Sequence, residues 1–399
     1  MASFFRRLAM HASLVRAVPR LRFPKVGRPY PVIPRFETGA LPAQIGISDA
    51  MIRRIVAAWR LNVPEQPEDT IWGRFADMNR AFVTALGQGD TAALREMLGA
   101  MLANHLTAGM SYGFSPDNEF RQRLRKGFSS RDYFRCKLSD YILAFAEALA
   151  VKPAWSNHQT SPEDYVAELK ADPAPLIAAI EAACGLSLEA PPDGTPSVAW
   201  FGAKPYNLDS IRHAYPVVLM RQIGVGGDEP ILEIGGGFGN VARYFAMAGY
   251  RDYTIIDLPI VTALQAAYLA AALGEDRVVL DGEEDNAAEK GRVRIVAASR
   301  KADLAPRYRA VLNMDSLPEI PAAEAAAYVE LIRDRADLFL SINQEARRAH
   351  RAGGPAQNSV PELVAAAGGF TRLRRSPNWM DQGYVEELYE TVGGEDRQS

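Results

Sequence analysis

The segment EPILEIGGGFGN (residues 229–240) constrains the fold more than any other stretch of the chain. Four glycines, Gly235, Gly236, Gly237 and Gly239, fall within five positions, after an apolar run and ahead of a helical pattern. A tight turn needs one or two glycines, and each further one costs backbone entropy on folding. A glycine-rich loop between strand and helix is the usual cradle of a nucleotide-like ligand.

The rhythm around this loop sets the fold class. Beyond residue 196 the apolar runs PILEI, YTIID, VRIVAAS, AVLNMD and DLFLSIN read as buried strands. The segments VARYFAMAG and VTALQAAYLAAALG between them read as helices. Strands alternating with helices predict a parallel sheet in a doubly wound α/β domain, closed by a strand pair at FTRLRR and YVEELYE. From 44 to 185 the patterns are helical. DTAALREMLGAMLANHL repeats apolar residues at helical spacing, Ser161 precedes Pro162 as an N-cap, and Gly185 is a C-terminal stop. LSLEAPPDGTPS (186–197) has the composition of a linker. The expected organisation is a basic, Pro-rich arm at 1–40, a mainly α-helical domain at 41–190 that lids the site, and an α/β domain at 196–393.

Composition removes several function classes. The two cysteines, Cys136 and Cys184, are far apart, and the five histidines show no metal-ligand spacing. A disulfide framework is excluded, and a reducing cytoplasm is expected. No apolar run approaches the ~20 residues that span a bilayer. A net charge of −3 gives no bias toward nucleic acid. Residues 1–36 carry eight Lys/Arg and no acid, as in a solvated arm or a basic helix making peripheral contact with a membrane. Residues 121–137 carry seven basic residues against one acidic, interleaved with Phe128, Tyr133 and Phe134. That pattern fits a solvated face, or a grip for a phosphate or uronate.

The loop itself selects among ligands. A Walker loop ends in Gly-Lys-Ser/Thr, and this one ends Phe238-Gly239-Asn240, so ATP is excluded. The dinucleotide pattern fails from Gly235. It is met in letters only from Gly237, too far past the strand for the usual turn. The spacing Glu233-x-Gly235-x-Gly237-x-Gly239 resembles motif I of class I S-adenosylmethionine (SAM)-dependent methyltransferases. Glu233 suits a cationic methionyl group, and Asp257 ends the next strand where a carboxylate binds ribose hydroxyls. Gly236 and Leu258 stand beside them.

ILEIGGGFGNVARYF, YTIIDLPIVTALQAAYL, NMDSLPEIP and LFLSINQEA, in that order, resemble the sugar O-methyltransferase family of that class. The resemblance covers about half of the chain. It implies a Rossmann-like seven-stranded methyltransferase sheet, SAM as cofactor, and a small-molecule or carrier-linked sugar hydroxyl as acceptor. IIDLP is also similar to small-molecule O-methyltransferases that use a histidine base after the fourth strand. Here that position reads Asn313-Met314-Asp315-Ser316, which argues against such a base.

In a doubly wound sheet the site lies at the carboxyl ends of the strands. Glu319 and Asp315 are therefore candidate bases, with His213 as a third. Tyr206, Arg212 and Glu345 are candidates for holding the acceptor, and Ala298 and Ser299 for lying near adenine. Oxygen ligands from Asp315, Glu319 and Glu345 suit Mg²⁺. Two other classes stay open: an NAD-dependent oxidoreductase using the Gly237 frame, and a non-catalytic SAM-binding scaffold in glycan assembly.

Overall fold

A computed structural model describes residues 33–392, apart from 42–44, 63–70, 112–129, 156–158, 160, 192–194, 196, 284–290, 346–356 and 382. Most of the N-terminal arm and the 121–129 half of the basic cluster, with Phe128, lie outside the described residues. The chain forms two compact units. One comprises the described residues of Met1–Ala43, Leu102–Tyr215 and Trp379–Gln382, the other those of Gln44–Met101, Pro216–Asn378 and Gly383–Ser399.

Among its described residues the first unit carries a small antiparallel sheet, three complete α-helices and the first half of the Leu208–Gln222 helix. The sheet runs β1 (Glu37–Gly39), β2 (Val198–Phe201), β3 (Lys204–Tyr206). The Pro162–Lys170 helix starts at the expected place. The Ser161 hydroxyl accepts from the Asp164 N–H while the Asp164 side chain accepts from the Ser161 N–H, a reciprocal capping box. The Ala174–Cys184 helix stops at Gly185, which adopts φ +66.

The third helix, Ser130–Ala148, is buried from Cys136 to Ala146, and it carries charge into the interior. The Asp381 carboxylate accepts from Tyr141 Oη at 2.6 Å and Lys137 Nζ at 3.3 Å, and is ion-paired with Arg212 Nε. Lys137, Asp381 and Arg212 are all buried. The two cations and the tyrosine hold the Asp381 carboxyl far below its ordinary range, against its own desolvation. Lys137 is thus an interior cation and not part of a solvated face. Its partner stands 244 positions away, which local charge pattern does not reveal.

The second unit is built on an eight-stranded sheet. Its strands are β4 (Ile231–Ile234), β5 (Asp252–Asp257), β6 (Val278–Val279), β7 (Arg292–Ala297), β8 (Tyr308–Met314), β9 (Ala336–Gln344), β10 (Phe370–Pro377) and β11 (Tyr384–Thr391). The order across the sheet is β10-β11-β9-β8-β4-β5-β7-β6. β6 through β9 pair in parallel, and β11 runs antiparallel to both β9 and β10. The expected doubly wound α/β sheet is present, with one strand more than the seven expected. The addition is the two-residue β6 at the edge, too short to register as an apolar run. Consecutive connections leave β4 to one side for β5, and β8 lies on its other side. That switch point opens a crevice beyond the carboxyl end of β4.

The units do not follow the linear division expected from the sequence, because residues 44–101 join the sheet. The Asp49–Leu61 helix buries Met51, Ile52, Ile55, Val56 and Trp59 and packs on the Pro259–Leu273 helix. Arg54 then fastens it. Its guanidinium donates to both Glu283 carboxylate oxygens at 2.6 and 2.8 Å, and to the carbonyls of Glu275 and Val278 at 2.8 and 2.6 Å. The helical pattern at 90–106 also breaks sooner than its apolar spacing suggests, with the helix ending at Gly99. Among the described residues no helix is long and apolar enough to cross a membrane.

Removing the Asp381 carboxylate leaves two buried cations uncompensated. Asp381→Ala is therefore expected to lower the unfolding free energy by about 3–5 kcal/mol, and Tyr141→Phe by only about 1 kcal/mol. Urea denaturation followed by circular dichroism checks this; equal, small losses in both variants contradict it.

Candidate functional site

The site is assembled at the end of β4. The Ile234 carbonyl accepts two side-chain hydrogen bonds from β8 and the turn after it: Asn313 Nδ2 at 2.8 Å and Ser316 Oγ at 2.9 Å. Asn343 on β9 backs this pair, its Nδ2 donating to Asn313 Oδ1 at 2.9 Å. The chain reaches Ser316 through Asp315, which adopts φ +70, a left-handed conformation that Asp tolerates better than most residues. Ser316 fills the space beside Gly235. A Cβ on Gly235 would lie 2.1 Å from Ser316 Oγ, and the residue sits at φ +73. Gly236 is equally closed, since its Cβ would meet Ile255 Cγ2 at 2.8 Å and Glu233 Oε2 at 3.0 Å. Gly239, at φ +95, starts the Asn240–Met247 helix. At Gly235 and Gly236 the place of a side chain is already taken by Ser316, Ile255 and Glu233, which lets the loop turn tightly at the end of β4.

Two carboxylates flank the loop. Glu233 is buried on β4, where Tyr253 Oη donates to its Oε2 at 3.0 Å. Burial pushes its carboxyl up to about 8, against the pull of the tyrosine. Asp257 ends β5. Leu258 N–H donates to its Oδ1 at 2.8 Å and Gln265 Nε2 to its Oδ2 at 2.8 Å. Burial raises its carboxyl to about 7, while these donors and the backbone of Gly236 and Gly237 act in the opposite direction. The first two strands of the crevice thus end in carboxyls titrating close to neutrality. Perturbations of this size are common at functional sites.

On the far side of the switch point, Glu319 follows β8 by five positions. Burial and then the negative Asp315 raise its carboxyl to about 7. The Ala322–Arg335 helix has no side-chain cap, so Glu319 does not serve as one. Ala298 and Ser299 open a short 3₁₀ turn at the end of β7, and the Ser299 hydroxyl donates to Asn62 Oδ1 at 2.8 Å.

The remaining sequence candidates fall elsewhere. Glu345, beyond β9, is held by Arg375 Nη2 at 2.7 Å. Among the described residues no group of three or more His, Cys, Asp or Glu is placed to hold a metal. The Asp315, Glu319 and Glu345 set expected for Mg²⁺ therefore does not assemble, Glu345 being drawn to its arginine. Tyr206, Arg212 and His213 belong to the other unit, all three buried. Arg212 is engaged by Asp381. Burial and the adjacent Arg212 push the His213 imidazole down to about 3. A base for neutral pH wants a value near the working pH, and His213 is far from it.

Asn343, expected from the sequence to face the cofactor's methyl group, instead backs Asn313, and the sequence gives no signal for the supporting roles of Gln265, Asn313 and Ser316 at the loop or of Asn62 beside Ser299. Gln265 lies in an alanine-rich helical run, where a lone amide is no signal. The NMDS segment was weighed for its acid and not for its neighbours.

No family profile matches the chain, and no curated protein does. Solved structures similar to it cover just under half of its length. The magnesium protoporphyrin IX methyltransferase of Synechocystis PCC 6803, with bound SAM, is 14% identical over 45% of this chain and 78% of its own, at a TM-score of 0.32. The 1,6-didemethyltoxoflavin-N1-methyltransferase of Burkholderia thailandensis, with bound S-adenosylhomocysteine, is 22% identical over 45% and 78%, at 0.33. A glycopeptide N-methyltransferase with sinefungin is 15% identical over 45% and 93%, at 0.33.

The burial of Glu233 makes a signed prediction. Its folded value lies above the unfolded one, so the folded state binds more protons, and stability is lost as pH rises from about 4.5 through about 8. Glu233→Gln should therefore gain melting temperature over the wild type, with the gain growing between pH 5 and pH 8.5. A difference independent of pH in thermal scans contradicts this assignment.

Proposed function

We propose that the chain is a SAM-dependent O-methyltransferase acting on a hydroxyl of a sugar, free or carrier-linked. The observation that carries the reading is the glycine loop, closed at Gly235 and Gly236 against Ser316, Ile255 and Glu233, and bracketed by the buried carboxyl of Glu233 and the half-buried carboxyl of Asp257 at a topological switch point. The fit to SAM is chemical. The loop faces its ligand with carboxylates instead of an anion hole, which suits a cationic amino acid moiety better than a pyrophosphate. Glu233, Gly235, Gly236, Gly237 and Gly239 would hold the methionyl half, Asp257 and Leu258 the ribose, and Ala298 and Ser299 the adenine. When bound, the cofactor supplies an electrophilic methyl group on a sulfonium centre.

The chain's own contribution is alignment and proton removal. Glu319 is the candidate base, because its carboxyl sits near 7 and proton acceptance is most effective close to the working pH. Asp315, one turn away, keeps Glu319 raised and stabilises it once protonated. Sugar specificity rests on the resemblance of NMDSLPEIP and SINQEA to the sugar-directed family. Cytoplasmic location is part of the same proposal, supported by two buried cysteines that are not joined in a disulfide. The proposal includes peripheral membrane contact through the N-terminal arm, on the charge of residues 1–36 alone.

Calorimetric titration tests the cofactor. S-adenosylhomocysteine should bind in the micromolar range, more tightly at pH 8 than at pH 6 as Asp257 and Glu233 ionise, and Asp257→Ala should abolish binding. Binding of NADH alone moves the reading to a dehydrogenase. Turnover is then read as transfer of labelled methyl from SAM to a panel of free and nucleotide-linked sugars. Glu319→Gln should lower kcat by about 10²- to 10⁴-fold and leave S-adenosylhomocysteine affinity within about twofold. An unchanged kcat removes Glu319 as the base.

A further inference from the structure

We propose that Gln265 is a positioning residue that ties the glycine loop to the Asp257 carboxylate and fixes the spacing between the two. The identity of the ligand so positioned rests on the cofactor reading above; the tie itself rests on the fold.

Gln265 lies on the Pro259–Leu273 helix and is fully buried, at 0% exposure. Its neighbours along that helix, Leu264, Ala266, Ala267 and Leu269, are apolar and equally buried. A primary amide in such a place costs free energy unless its hydrogens are used. Both are used, and both on the site. Nε2 donates to the Gly237 carbonyl at 2.9 Å and to Asp257 Oδ2 at 2.8 Å. Both partners are acceptors, which fixes which end of the amide is nitrogen. The other end, Oε1, has no hydrogen-bond partner among the described residues. A buried acceptor left unmatched is itself a cost. If the position served packing alone, a leucine or methionine of similar volume would fill it without that cost.

The consequence for Asp257 is orientation. Oδ1 is taken by the Leu258 N–H and Oδ2 by Gln265, so the carboxylate plane is fixed against rotation. The same amide holds the carbonyl of Gly237, which sits at φ +54. One side chain therefore sets the distance between a backbone loop and the carboxylate of the adjacent strand, where two parts of a single ligand have to be met together. Geometry of this kind is what a binding site needs its supporting residues to supply. The ionisable groups facing Asp257 are Glu233 from β4 and Tyr328 from the Ala322–Arg335 helix, both of which the Asp257 charge raises.

The test uses the full chain with Gln265→Met, which keeps volume, and Gln265→Glu, which keeps shape and acceptors but loses both donors. Two readouts are taken. The first is the carboxyl titration of Asp257 by carbon-detected NMR on ¹³C-aspartate-labelled protein, assigned with Asp257→Asn, without any ligand. Loss of the amide donor should move the Asp257 titration upward in pH in both variants. The second is calorimetric S-adenosylhomocysteine affinity from pH 6 to 8.5. It should fall at least tenfold at pH 7 in both variants, and the rise of affinity with pH should shift upward by the same interval as the titration.

An unmoved Asp257 titration in folded Gln265→Met overturns the tie. An affinity loss equal at every pH, with Glu restoring what Met loses, assigns Gln265 to packing and also overturns it. If the wild type fails to bind S-adenosylhomocysteine, the cofactor reading falls, and the ligand-free titration still decides whether Gln265 holds Asp257. Should Gln265→Met not fold, Gln265→Leu, which also removes both donors and adds no charge beside Asp257, carries the same decision.

Discussion

The contact on which the second unit depends is the one between Gly235 and Ser316. The end of β4 and the turn after β8 approach so closely that a single methyl group at residue 235 has no place to go. That proximity lets Ser316 and Asn313 share the Ile234 carbonyl, and it keeps the crevice narrow where the sheet changes direction. The left-handed Asp315 is the backbone adjustment that brings Ser316 there, at a conformational cost of about 1 kcal/mol or more. Glycine at 235 and strain at 315 are two halves of one arrangement.

The two units handle carboxylates drawn out of water in opposite ways. Asp381 is surrounded by cations and held ionised, so its charge is satisfied and contributes to holding its unit together. Glu233, Asp257 and Glu319 have hydrogen-bond donors or a like charge nearby but no cation, and their carboxyls are pushed up toward neutrality. The first arrangement is complete without a ligand. The second is favourable for whatever brings positive charge or hydroxyl donors into the crevice, which is the physical basis of reading it as a site. The same contrast separates His213 from Glu319 as a base: one is held neutral beside an arginine, the other is poised.

Much of the α/β sheet was legible because its signals are local. Apolar runs of four to nine residues, the glycine loop, and the acid at the end of β5 all declare themselves within a dozen positions. The caps at Ser161 and Gly185 did so too. What escaped was long-range. The Asp49–Leu61 helix carries an ordinary amphipathic pattern, and nothing in it says that Arg54 and Asn62 find partners at Glu283 and Asp281, some 220 positions on. The Lys137–Asp381 pair is hidden for the same reason, and Lys137 reads as surface charge until its partner is seen. The supporting amides of the crevice escaped differently. Asn313 and Gln265 are common residue types without a spacing rule, and only a backbone that places a carbonyl or carboxylate opposite them gives them a role.

The Trp379–Gln382 segment has a consequence for how the chain is made. It lies between β10 and β11, yet it belongs to the first unit, to which it brings Asp381, while residues on either side belong to the second. Translation proceeds from the N-terminus, and domains ordinarily close in that order as they emerge. Here neither unit has that option. The first lacks Asp381, and the second its penultimate sheet position, until residues 379–391 have been added. Both cores therefore mature together once that stretch has emerged. A nascent chain stalled before residue 379 would expose Lys137 and Arg212 without their counterion and β9 without its neighbour, a substrate for chaperones and not an early, independently folded domain.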